Sequence, residues 1–183
     1  MHPSSLSLVA LGALLLSGCA LHAPTAPDPV DSVVDPGGAP IVTDRASYTL
    51  QRGSHGWEGE ISFEYTNRTD RTISIVNCNG SFALRLEKWE EGDWVSAWSP
   101  PIPMCLSPPI EIEPGATYSR TVPVFGGFPD SNTHPQFNVD EIDGTYRLVI
   151  ESAYWNYDHD GPPWGVQLPL EERASHTIEI RTE

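Results

Sequence analysis

Glu60-Ile61-Ser62-Phe63-Glu64-Tyr65-Thr66 decides the fold. Ile61, Phe63 and Tyr65 share one face of an extended chain and the polar residues share the other, the period-two pattern of a strand with one buried side. Asn67-Arg68-Thr69-Asp70 follows with turn chemistry, and Thr72-Ile73-Ser74-Ile75 resumes the alternation. Downstream, Phe82, Leu84 and Leu86 continue it, and Glu90-Glu91-Gly92-Asp93 turns the chain into Trp94-Val95-Ser96-Ala97-Trp98. Ile110 and Ile112 lead to a turn at Glu113-Pro114-Gly115, then to Tyr118–Val124. Asp143-Gly144 opens Tyr146–Ile150, and His176–Ile180 forms the last strand. No long stretch free of Pro and Gly carries apolar residues at helical spacing. Short strands with a turn every roughly 8–12 residues predict an all-β, two-sheet antiparallel sandwich.

The chain has 183 residues, with 25 acidic and 10 basic side chains and a net charge of -15. Such a charge excludes binding to a phosphate backbone, which needs clustered Lys and Arg, so no nucleic-acid partner is expected. It suits a cationic partner. Ala20 to Pro40 holds Pro24, Pro27, Pro29, Pro36 and Pro40, the pair Gly37-Gly38, and Asp28, Asp31 and Asp35. Proline fixes φ and removes backbone donors, so this segment reads as a disordered, extended linker reaching at most about 70 Å at roughly 3.3 Å per residue. With neither a second linker nor an internal repeat, residues 41–183 read as one domain.

Leu6 to Leu16 is an apolar run, too short for a bilayer of ~30 Å but suited to the core of a secretory signal. Leu16-Ser17-Gly18-Cys19 resembles the bacterial lipobox. The resemblance implies a signal peptide over 1–18, acylation of Cys19, and membrane lipid as the first partner. Residues 1–5, Met-His-Pro-Ser-Ser, depart from the pattern in carrying no Lys or Arg. Ala20, where enteric inner-membrane lipoproteins carry Asp, implies an outer-membrane address with the domain in the periplasm or at the cell surface.

Asn67-Arg68-Thr69-Asp70 at a strand end, the hairpin around Trp94, Glu113-Pro114-Gly115-Ala116 and Gly144-Thr145-Tyr146-Arg147-Leu148 together resemble bacterial immunoglobulin-like domains. The nearest comparison is the BsuPI type of proteinase-inhibitor domain, over residues 46–155. This resemblance implies an immunoglobulin-like sandwich and points toward inhibition. The cysteine pair and the long final loops depart from that pattern.

With Cys19 acylated, Cys78 and Cys105 remain, an even pair in an exported chain, and a disulfide is the natural reading. The sequence holds no Gly-x-Ser-x-Gly, His-Glu-x-x-His, phosphate-binding loop or Gly-x-Gly-x-x-Gly, so no catalytic residue, metal or cofactor is assigned and the chain reads as a non-enzyme. Two long loops stand out. Residues 126–143 carry His134 among Asp130, Asp140, Glu141 and Asp143. Residues 155–172 follow Tyr154 and carry Trp155, Tyr157, Asp158, His159, Asp160 and Trp164. Asp158-x-Asp160-Gly161 echoes a calcium loop, but the twelfth position is Pro169, so the EF-hand pattern fails. The cluster from Tyr154 to Trp164 is either a binding hot spot or a cover for the open end of the core. Trp89, Trp94 and Trp98 read as core packing or edge cover. The expected function is noncatalytic binding of a protein, with inhibition of a proteinase or other cationic hydrolase and a structural envelope or adhesion role as alternatives.

Overall fold

The computed structural model describes residues 38–104, 107–128, 131–155 and 165–183. In chain order the strands are β1 (Ile41–Thr43), β2 (Ser47–Arg52), β3 (Gly56–Thr66), β4 (Ile73–Ile75), β5 (Asn77–Cys78), β6 (Ser81–Phe82) and β7 (Leu84–Glu90). They continue as β8 (Asp93–Trp98), β9 (Ile110–Ile112), β10 (Thr117–Gly127), β11 (Gly144–Ile150), β12 (Ala153–Trp155), β13 (Val166–Gln167) and β14 (Ile178–Thr182). One short 3-10 turn spans Leu170–Glu172. The protein is an all-β sandwich of immunoglobulin-like form.

The stretch that predicts the fold is the centre of its first layer. β10 pairs with β3 along its whole length, from Thr117 opposite Thr66 to Gly127 opposite Gly56. The other edge of β3 is shared, with β1 beside Phe63 to Tyr65 and the end of β2 beside Trp57 and Glu58. β2 also crosses to the second layer, where Ser47–Leu50 pair with Glu179–Thr182 of β14. That pairing is parallel, whereas the other strand pairs among the described residues are antiparallel, as the predicted sandwich requires. The polar break Asp44-Arg45-Ala46 lets the chain leave one sheet and join the other. The second layer continues antiparallel through β11, β7 and the edge strand β8. A small sheet, β13-β12-β4-β9, lies beside the two layers, and β5 and β6 form a separate hairpin.

The layers meet through the predicted faces: Ile61, Phe63, Tyr65, Val122 and Val124 from one, and Leu84, Leu86, Trp98, Tyr146, Leu148 and Ile180 from the other, all buried. β3 begins at Gly56 rather than at Glu60 as the alternation predicts. The reason is close backbone approach. A Cβ on Gly56 would sit 2.2 Å from the Gly126 carbonyl oxygen, and one on Gly59 would meet Leu50 at 2.6 Å. These glycines are therefore packing residues inside a strand, where a sequence reader sees breakers.

Side-chain hydrogen bonds then tie loops to this core. Asn67, fully buried, donates through Nδ2 to the carbonyls of Arg71 and Ile112, each at 2.7 Å, while its Oδ1 accepts from Thr69. The predicted turn at 67–70 thus also clamps the turn before β10. Tyr65 donates its hydroxyl to the Glu172 carbonyl at 2.6 Å and Tyr146 to the Ile142 carbonyl at 2.5 Å. Burial pushes both phenols well above the usual tyrosine range.

Candidate binding groove at the far pole

The domain has two poles defined by β3. At one, the chain enters: the Thr66 amide donates to the Pro40 carbonyl at 2.9 Å. The other lies at the Gly56 end of the same 11-residue strand, about 33 Å away at roughly 3.3 Å per residue. A groove of about 880 Å³ opens at this far pole. Its volume falls within the range of ordinary ligand sites.

One wall is aromatic and carries a cation of its own. Trp57 and Phe128 meet edge to face at 5.7 Å, and the Arg52 guanidinium lies 4.6 Å from the Phe128 ring centre and 5.6 Å from that of Trp57. This is cation–π geometry. Arg52 thus covers one face of these rings, and the rest of the wall offers apolar surface. The opposite wall is residues 136–143, with Asp140 and Glu141 exposed on it.

That second wall is part of the long loop read in the sequence, and the sandwich holds it firmly. The Asn138 amide donates to the Ala97 carbonyl at 2.7 Å, and Lys88 Nζ donates to the Glu141 carbonyl at 2.5 Å. Tyr146 fixes the carbonyl of Ile142, as described above. Asp143 Oδ1 accepts from the amide and hydroxyl of Thr182 at 2.9 and 2.8 Å. Phe137 packs over Gly126, where a Cβ would come within 2.4 Å of its ring, and lies 6.4 Å from Trp98. Loop backbone and the Asp143 carboxylate thus exchange hydrogen bonds with strand residues, so two exposed carboxylates are displayed on a rigid support.

Of the aromatic cluster read in the sequence, the two described residues lie elsewhere. Tyr154 and Trp155 are in β12, opposite Ser74 and Ile73 of β4. Since β4 follows the turn at Asn67, Tyr154 and Trp155 sit toward the pole where the chain enters. Trp155 packs against the core with Arg71 4.8 Å above its ring, so for this residue the cover reading fits. Tyr157, Asp158, His159, Asp160 and Trp164 lie outside the described residues, as do Cys19, Cys105 and Asp130. Cys78 is buried at the end of β5. His134 is exposed, whereas His176 lies 3.1 Å from Thr43 Oγ1 near the entry pole. Among the described residues no three His, Cys, Asp or Glu side chains group as metal ligands.

The three tryptophans of the β7–β8 region divide. Trp98 is core. Trp89 and Trp94 meet edge to face at 5.2 Å outside the second layer, with Trp89 47% exposed, which makes them edge cover. The far-pole groove itself was only half visible in sequence. Its acidic loop was singled out, but Arg52, Trp57 and Thr182 come from strand ends remote in the chain. The one available signal was Trp57 between two glycines. Comparison with known proteins finds no family model, curated protein or solved structure that matches the chain.

Proposed function

We propose that this protein is a noncatalytic binding module of the bacterial envelope, anchored by lipid at Cys19 and holding a cationic protein partner in the far-pole groove. The observation that carries this reading is the position of the groove. It lies opposite the pole where the linker enters, so a domain on a stalk presents it away from the membrane. Trp57 and Phe128 supply the kind of aromatic anchor that dominates protein interfaces. Asp140 and Glu141 add to the field of a chain of net charge -15, which steers basic surfaces toward it.

The test is a pull-down from envelope extract with the full chain at low and high salt, followed by binding kinetics on the captured protein. We expect a basic protein that is released by salt. The double variant Asp140→Asn, Glu141→Gln should slow its association several-fold at low ionic strength and leave dissociation nearly unchanged. Capture indifferent to both salt and the variant would refute the proposal.

The anchor and a Cys78–Cys105 disulfide belong to the same proposal. Support for the bridge comes from the residues around the pair: the Ser107 amide donates to the Asn77 carbonyl at 3.0 Å, and Asn79 donates to Ser107 Oγ at 2.9 Å. The chain just past Cys105 is thereby held against the hairpin that carries Cys78. Intact mass checks both features. The mature protein should begin at Cys19 with added acyl chains, and should gain two hydrogens on reduction. A chain that retains residues 1–18, or whose mass is unchanged by reductant, contradicts the corresponding feature.

A further inference from the structure

A second cavity, of about 380 Å³, lies on the open side of the sandwich. There β10 pairs only with β3 and β8 only with β7 among the described residues. Phe82, Leu84, Trp98 and Phe125 wall it, with Pro100 and Pro123 at its rim. The walls are apolar even where they carry polar atoms: the Trp98 indole N–H is spent on the Phe125 carbonyl at 2.8 Å.

One permanent charge points into this space, and His134 also lines it. Val122 and Val124 of β10 are buried, and by the two-residue period Arg120 faces the same way, between the layers. Its guanidinium lies 5.9 Å from the Phe82 ring centre, and a Cβ on Gly80 would come 3.1 Å from its Nη1. Among the described residues it meets no carboxylate. Most other cations here do: Arg45, Arg71, Arg85, Lys88 and Arg147 each have an acidic partner. In so acidic a protein, an arginine set against apolar walls and left without a counter-ion is an anion receptor awaiting its anion. A guanidinium so placed gains most from a carboxylate, which it can bind with two parallel hydrogen bonds.

We infer that this cleft binds an apolar monocarboxylate, its head group on Arg120 and its hydrocarbon body against Phe82, Leu84 and Trp98. The monoanion follows from the charge balance: Arg120 is the one permanent cation among the lining residues, and the surrounding field of the chain rejects a second negative charge. The site is separate from the far-pole groove and does not depend on the function proposed for it.

Monomeric decanoate is the probe, titrated by NMR into the full chain carrying Cys19→Ala to remove the acylation site. Shifts should concentrate on the Trp98 indole N–H, Phe82 and Arg120. Decanol, with the same tail and no charge, should bind at least about ten-fold more weakly, the loss expected when a charge-assisted hydrogen bond is removed. Arg120→Gln should bring decanoate down to the level of decanol while leaving the melting temperature near that of the parent. Equal binding of decanol and decanoate to the parent chain overturns the inference, and this comparison stands whether or not the variant folds. Shifts confined to other surfaces, or a folded Arg120→Gln chain that keeps its decanoate affinity, overturn it too.

Discussion

Alanine at position 98 should lower the unfolding free energy by about 4 kcal/mol, the large-aromatic end of core truncations. Trp98 is 1% exposed and, among the described residues, is the largest of the fully buried side chains. Removing its ring opens a void between β8 and β10 that the two hydrogen-bonded sheets cannot close, so the lost transfer energy is joined by a cavity term. The same change strips the Phe125 carbonyl of its indole donor, a hydrogen bond worth a further ~1 kcal/mol. Trp98→Phe separates the two effects. It keeps most of the packing and loses the hydrogen bond, and should cost about half as much. Urea denaturation of both variants measures this; a loss below 1 kcal/mol for alanine would mean that Trp98 does not close the core. The effect should also be felt at the far pole. Phe137, the first hydrophobic contact of the groove's acidic wall, rests beside Trp98, so hydrogen exchange in 136–143 should speed up in Trp98→Ala.

Glu87→Ala should be nearly as damaging, for a different reason. Glu87 is 5% exposed on the outer face of β7, and both its oxygens are taken. Oε1 accepts from Arg85 Nε at 2.7 Å, and Oε2 accepts from Arg147 Nε at 2.6 Å. The two arginine side chains are themselves only 23% and 18% exposed. Deleting the carboxylate leaves two guanidinium groups close together and short of water, a loss of about 3 kcal/mol. Arg85 keeps Glu151, and Arg147 keeps its place 4.4 Å over the Trp94 ring, which is why the loss stops short of unfolding the domain. Glu87→Gln retains an acceptor without the charge and should fall between. If instead Glu87→Ala matches the parent within 0.5 kcal/mol, an ordinary surface-pair value, then the network is solvated and the burial argument fails.

The sandwich was legible because its central strand is half-buried. Ile61, Phe63 and Tyr65 must alternate with polar residues if one face of β3 meets the core and the other meets water, and a reader sees that in the letters. The strand switch in β2 was not legible, since Ser47–Arg52 presents the same alternation whichever sheet it joins. Gly56 and Gly59 misled for a physical reason: they are required by a neighbour's closeness, which composition cannot reveal. The far-pole groove shows the same limit. Asp140 and Glu141 announced themselves as a charged loop, but the aromatic wall that gives them a purpose joins residues 52, 57 and 128, brought together only by pairing of β2 and β10 with β3. Tyr154 and Trp155 drew attention by density, and density of aromatics also marks a place where a small core needs covering.

Placing the entry of the chain and the groove at opposite ends of one strand has a consequence for search. On the proposed anchor, the linker of up to about 70 Å and a body of about 33 Å let the groove sweep a half-sphere of roughly 100 Å radius above the leaflet. One copy confined there is present at a local concentration on the order of 1 mM. A partner held in the same leaflet within that radius would be engaged even with modest intrinsic affinity, whereas one drifting free beyond it would not. Shortening the linker would therefore change which neighbours are reached without altering a single contact in the groove.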